Sequence, residues 1–106
     1  ATFGEVILEP TKVYMKALLP LVKAGLLKGL SHITGGGIPG NLSRALPDSL
    51  AAVVDMEKWE VPEIFKWLVS FGCLSNVHDV LNTFNSGIGM VLIVDSSKVS
   101  QVTSLL

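Results

Sequence analysis

The sequence predicts a layered α+β domain, on three observations. Segments with helical periodicity alternate with short strand-like runs, which is the pattern of helices packed on a sheet. The 106 residues suffice for one modest core and not for two. Residues Gly89 to Val94 are almost entirely apolar, and a strand apolar on both faces belongs where helices cover both sides of a sheet.

The elements follow in order. Residues Ala1 to Glu9 read as extended, with Val6, Ile7 and Leu8 as a short edge strand. Pro10-Thr11 opens a helix that Thr11 can cap, and Tyr14, Leu18, Leu21, Val22 and Gly25 form its stripe. Pro20 is expected to kink that helix or break it in two, and Lys12, Lys16 and Lys23 read as a solvated face. Leu27 to Thr34 is strand-like and ends in three consecutive glycines. Ile38 to Leu46 makes a short helix between Pro39 and Pro47, and Leu50 to Met56 reads as another strand. Val61, Ile64, Phe65, Leu68 and Phe71 give a helix with Pro62 in its first turn and Gly72 at its end. A second helix follows, capped by Ser75, with Val77, Val80, Leu81 and Phe84 as its apolar face. Asn85-Ser86-Gly87 breaks it before the strand at 89–94, and a final helix spans Ser97 to Leu106, capped by Asp95, Ser96 or Ser97. No internal repeat or low-complexity segment interrupts this order.

Composition narrows the function. Hydrophobic residues are 49% and charged residues 16%, against a usual charged share of roughly 25%. So greasy a small chain is expected to cover part of its surface, either by self-association or as part of a larger protein, and Ala1 in place of Met fits the second. A net charge of −1 argues against a nucleic-acid or anionic-membrane footprint. One cysteine, Cys73, excludes an internal disulfide and a cysteine-based metal cluster. No apolar run reaches the roughly 20 residues that span a bilayer, and no signal peptide opens the chain. A cytoplasmic domain without a metal site is expected.

The stretch Ser31-His32-Ile33-Thr34-Gly35-Gly36-Gly37 is the candidate site. Glycines add no packing and lose the most backbone entropy on ordering, so three in a row point to backbone freedom and accessible N–H groups. Such a turn between a strand and a helix suits an anion, most often phosphate. In a strand His32 and Thr34 share a face. Asn41 and Arg44 are three apart and share a helix face near the glycines, where a guanidinium suits phosphate or carboxylate.

Other constellations fail on detail. Gly35-x-Gly37-x-x-Gly40, with Asp55 twenty residues after Gly35, satisfies the dinucleotide fingerprint in form. The following helix, however, is only nine residues long and Pro39 lies inside the fingerprint. A phosphate-binding P-loop fails because no Lys-Ser/Thr pair follows the glycines. His32 and His78 have no metal ligands at suitable spacing. Ser86-Gly87-Ile88-Gly89 matches a nucleophile elbow in composition but not in order. Trp59 and Trp67 read as packing anchors.

Several motifs carry a family likeness. The run from Ser31 to Gly37, then Asn41-Leu42-x-Arg44-x-Leu46-Pro47, then Trp59 ahead of Pro62-x-Ile64-Phe65-x-Trp67-Leu68, then Thr83-Phe84-Asn85-x-Gly87-Ile88-Gly89-Met90 resemble the C-terminal domain of aminoimidazole ribonucleotide synthetases. These are the phosphoribosylformylglycinamidine cyclo-ligases of purine biosynthesis. Leu8-x-Pro10-Thr11-x-x-Tyr14 fits the same family, and the likeness covers nearly the whole chain.

The resemblance implies a three-layer α/β/α domain with a mixed sheet and partial ferredoxin-like similarity. It implies that residues 1–106 are the substrate-side domain of a larger homodimeric enzyme, inactive without an N-terminal ATP-binding domain. The reaction would close an imidazole ring: the formyl oxygen of formylglycinamidine ribonucleotide is phosphorylated, and a nitrogen then displaces phosphate. ATP with Mg2+ would bind mainly outside this chain. His32, Thr34, Gly35, Gly36, Gly37, Asn41 and Arg44 would line the cleft between domains and hold substrate or transferred phosphate, with His32 the candidate for a catalytic role. Two positions depart from the family pattern: Gly40 stands where an acidic residue is usual, and Asn82 where a basic one is usual. A non-catalytic small-molecule-binding module of ferredoxin-like build is the alternative.

Overall fold

A computed structural model describes residues 1–72, 74 and 76–106. The first element is a helix, α1 (Phe3–Ile7), and not the expected extended segment with an edge strand at Val6–Leu8. A capping box decides it. The Thr2 hydroxyl accepts from the Glu5 N–H at 3.3 Å, and the Glu5 carboxylate accepts from the Thr2 N–H at 2.8 Å. Two otherwise orphaned donors are thereby satisfied, and no strand edge offers the same backbone groups a partner.

Helix α2 (Met15–Lys23) buries Leu18 and Leu21 and runs unbroken through Pro20. Proline removes one backbone donor, but the anchoring of Leu21, fully buried, keeps the helix in place. Strand β1 (Gly29–His32) leads through Ile33 and Thr34 into the glycines and helix α3 (Gly37–Leu42), which tightens into a 3-10 turn over Ser43–Ala45.

The strand expected over Leu50 to Met56 does not form. Leu50 closes a turn onto Pro47, residues 51–55 are irregular, and Asp55 caps a 3-10 turn over Met56–Lys58. A strand needs a neighbour for its backbone groups. This segment has none, and Val53 is 98% exposed.

Helix α4 (Glu63–Ser70) starts after Pro62, and Gly72 beyond its end has a φ of +78°. Helix α5 (Val77–Thr83) is capped by Asn76, whose side chain accepts from the Asp79 N–H. The cap expected at Ser75 falls outside the described residues. Strand β2 (Met90–Ile93) and helix α6 (Val99–Leu105) complete the chain, with Asp95 capping the 3-10 turn at Ser96–Lys98.

Among the described residues the sheet has two strands. β1 and β2 pair antiparallel, with Gly29 opposite Ile93 and His32 opposite Met90. No parallel pair is present among them, so the sheet is not the expected mixed one. The period-2 alternation of β2 serves two cores. Met90 and Leu92 pack on Leu18, Leu21, Leu26 and Val102 from α2 and α6. Val91 and Ile93 pack on Ile33, Ile38 and Leu42 at α3. Apolar residues on both faces of β2 therefore mark a strand covered on both sides, as its composition predicts.

Candidate functional site

The site is built where β1 ends. Ile33, 1% exposed, pins the strand end from inside, and its N–H donates to the Gly89 carbonyl at 2.9 Å. Alternation along the chain then leaves His32 and Thr34 exposed on either side of it. Gly37 N–H closes a turn onto the Thr34 carbonyl at 3.0 Å. Gly36 and Gly37 have φ values of +101° and +63°, which side chains rarely adopt. Gly37 is also pressed on α5, where a Cβ would overlap the Leu81 carbonyl oxygen. The N–H groups of Gly35 and Gly36 have no acceptor among the described residues.

Asn41 holds this loop. It is 8% exposed, and its Nδ2 lies 2.8 Å from the Gly37 carbonyl oxygen, 3.2 Å from that of Gly35 and 3.3 Å from that of Thr34. Its Oδ1 accepts from the Thr34 hydroxyl at 3.4 Å. Arg44, in the 3-10 turn that follows α3, is exposed without a hydrogen bond or ion pair among the described residues.

A cleft of about 550 Å³ opens beside His32 and Thr34. Its far walls are the irregular segment from Glu9 to Tyr14 and the turn from Asn85 to Gly89. The Tyr14 ring stands edge-on to the His32 ring, with centroids 6.2 Å apart. Its hydroxyl occupies the space a Cβ on Gly89 would need, so glycine at 89 is what admits it. The Asn85–Ile88 turn has positive φ at both central residues, Ser86 (+55°) and Gly87 (+99°), the mark of a type I′ turn. The Asn85 side chain accepts from the Gly87 N–H at 3.0 Å, and the Trp59 indole N–H donates to the Ser86 carbonyl at 3.0 Å.

The structure thus brings Thr34, Gly35, Gly36, Gly37 and Asn41 into one bonded loop and sets His32 next to it at the cleft. Arg44 lies outside the cleft lining. Reading the residues one by one missed Tyr14 and Asn85 as cleft residues, although both stand in the motifs that carry the family likeness. Lys12, read as part of a solvated face, also lines the cleft. His78 is exposed, and Trp59 packs at the α3 core. Among the described residues no three His, Cys, Asp or Glu side chains gather as metal ligands, and no helix is long and apolar enough to cross a membrane.

All of residues 1–106 match the family described as AIR synthase related protein, C-terminal domain. The chain belongs to this family. As an AIR synthase related C-terminal domain it is 57% identical, over 95% of its length, to a bifunctional purine biosynthetic protein of Saccharomyces cerevisiae, of which it covers 12%. It is 50% identical, over 99% of its length, to a phosphoribosylformylglycinamidine cyclo-ligase of Ligilactobacillus salivarius, of which it covers 30%. A trifunctional purine biosynthetic protein of Gallus gallus is 48% identical over 95% of the chain, which covers 10% of it. The AIR synthase related domain is thus under a third of the length of each of these relatives, and in each it is one part of a longer enzyme.

Proposed function

We propose that this chain is the C-terminal, substrate-side domain of a phosphoribosylformylglycinamidine cyclo-ligase, which converts formylglycinamidine ribonucleotide and ATP to aminoimidazole ribonucleotide, ADP and phosphate. The observation that carries this reading is the 50% identity, across 99% of the chain, to a protein of that name. ATP and Mg2+ bind mainly in an N-terminal domain beyond this chain, and the full enzyme is a cytoplasmic homodimer. The two-sided covering of β2 supports a three-layer α/β/α build with ferredoxin-like character.

In this reading the free amides of Gly35 and Gly36 face the inter-domain cleft, and the exposed Arg44 guanidinium, outside the lining of the cleft within this chain, reaches it from the side of the missing domain. There they stabilise charge that develops on phosphoryl oxygens. His32 and Thr34 stand at the edge of the substrate, and Asn41 contributes by fixing the loop. Because the reaction is shared between two domains, the isolated chain should show no ATP-dependent ring closure, and robust turnover by it alone would refute the reading. In the longer enzyme His32→Ala and Arg44→Ala should each lower turnover by at least about tenfold, the scale of losing one positioned charge-stabilising or proton-transfer group. Unchanged kinetics for both would move the site elsewhere.

A further inference from the structure

Helix α2 carries two apolar stripes, and the fold covers one of them. Leu18 and Leu21 are buried together with Leu26 and Val102. Met15, Leu19 and Val22 follow at i, i+4 and i+7, about a quarter turn round the helix from the buried pair, and they are 62%, 40% and 49% exposed. A helix face turned to water normally carries charged and polar residues, yet the only polar side chains of α2 are Lys16 and Lys23. These two lysines stand on the far border of the exposed stripe. Seven residues apart on one helix, they lie within about 20° of each other round the axis and about 10 Å apart along it, so the backbone of α2 holds their spacing. Neither makes an ion pair or hydrogen bond with a described residue. A groove of about 360 Å³ lies between Met15, Lys16, Leu19, Pro20 and Lys23, and none of these residues lines the cleft beside His32.

We propose that this face of α2 docks an acidic amphipathic helix of the same polypeptide, outside residues 1–106. Its apolar side lies on Met15, Leu19 and Val22, and two carboxylates about seven residues apart meet Lys16 and Lys23. A helix satisfies its own backbone groups and needs no strand edge to pair with, and two nearly aligned helices stay in contact along the whole of α2. A second copy of this chain does not supply the complementary helix: α1, α4 and α5 carry one carboxylate each, Glu5, Glu63 and Asp79, and α2, α3 and α6 carry none. The longer polypeptide does have the length to supply it, since this domain spans under a third of each of its relatives, and a tethered segment docks at high effective concentration. The inference needs the domain to sit in a longer chain and is independent of the reaction that chain performs.

Carbodiimide coupling joins an amine directly to a carboxylate in contact with it. Applied to the longer enzyme, with the links mapped by mass spectrometry, it should join Lys16 and Lys23 to carboxylates about seven residues apart in one segment outside residues 1–106, in a product the size of a single chain. Leu19→Ser should lower the yield of both links at least about fivefold, the scale on which losing the burial of one leucine biases docking, and Leu19→Met should keep them. Met15→Ser carries the same expectation as Leu19→Ser and replaces it if that variant folds poorly. Links to a second copy or to a separate polypeptide, no link at either lysine, or links undiminished by the serine variants overturn the proposal. Ring closure by the longer enzyme is a separate readout: its absence refutes the cyclo-ligase reading and leaves the map of links standing, and the reverse holds as well.

Discussion

Asn41 shows how a single side chain can make a glycine-rich loop affordable. Ordering Gly35, Gly36 and Gly37 costs about 3–6 kcal/mol of backbone entropy, at about 1–2 kcal/mol per residue. A net gain of about 1 kcal/mol for each hydrogen bond lets the two N–H groups of Nδ2, shared among the carbonyls of Thr34, Gly35 and Gly37, offset part of that cost. Asn41→Ala should therefore lower stability by about 2–3 kcal/mol, because it leaves part-buried carbonyls without a donor. Asn41→Asp should be at least as damaging, since it turns two donors into acceptors that face carbonyl oxygens. Urea unfolding measures both. A loss under about 0.5 kcal/mol, the size of an ordinary surface change, would mean that the loop is held by other contacts.

At the scale of elements, the turn that leads into α6 is sensitive to pH through Asp95. The Asp95 carboxylate accepts from the Ser97 hydroxyl at 2.7 Å and from the Ser97 N–H at 2.9 Å, and it lies 3.5 Å from the Lys28 ammonium. The Ser97 hydroxyl bond, then the Ser97 backbone bond, then Lys28 hold its pKa down at about 2, below the ordinary 3.8. A lowered native pKa stabilises the fold above the unfolded value, and this is lost as pH falls through the native one. Between about pH 4 and about pH 2, protonation of Asp95 in the unfolded chain pulls the equilibrium toward unfolding. The melting temperature of the parent chain should fall more steeply across that window than that of Asp95→Asn, and parallel slopes would exclude this cap as the cause.

The same cap was legible in the sequence, since Asp95, Ser96 or Ser97 was expected before the last helix. The rest of the element order divides in the same way. Strands and helices that carry their own periodicity, such as β2 and α4, form where the pattern places them. Two expected strands fail to form, both at apolar runs without periodicity, and the helix expected from a Thr11 cap starts only at Met15, after Tyr14, and runs unbroken through Pro20. Val6-Ile7-Leu8 lost to the Thr2–Glu5 capping box, a signal written in the sequence but weighed below strand propensity. Leu50 to Met56 depends on a neighbour that no local pattern reveals. At the site, strand alternation was enough to place His32 and Thr34 together on the cleft side. The place of Arg44 outside the cleft lining was hidden, because the cleft's other walls, the segments at 9–14 and 85–89, come together only by tertiary packing that no local pattern reveals.

The molecule as a whole is too open for its mass. It exposes 7691 Å², whereas a compact monomer of 11.3 kDa exposes about 5700 Å². Its radius of gyration is 15.4 Å, against about 13 Å for a compact domain of this length. Large apolar side chains are part of this open surface. Phe3, Trp67 and Phe71 stack in series with ring centroids 5.0 and 4.8 Å apart, yet all three remain exposed. An excess of about 2000 Å² is more than twice the roughly 800 Å² that one partner contributes to a standard interface, which supports a chain that is completed by covering. In the longer enzyme this domain should melt at least about 10 °C higher than the isolated chain, which corresponds to about 2 kcal/mol at 4–8 °C per kcal/mol for a domain of this size. The isolated chain should also bind a hydrophobic dye that the longer enzyme does not. Equal melting temperatures together with a dye-silent isolated chain would show that the open surface is stable in water unaided, and that the greasy composition has another cause.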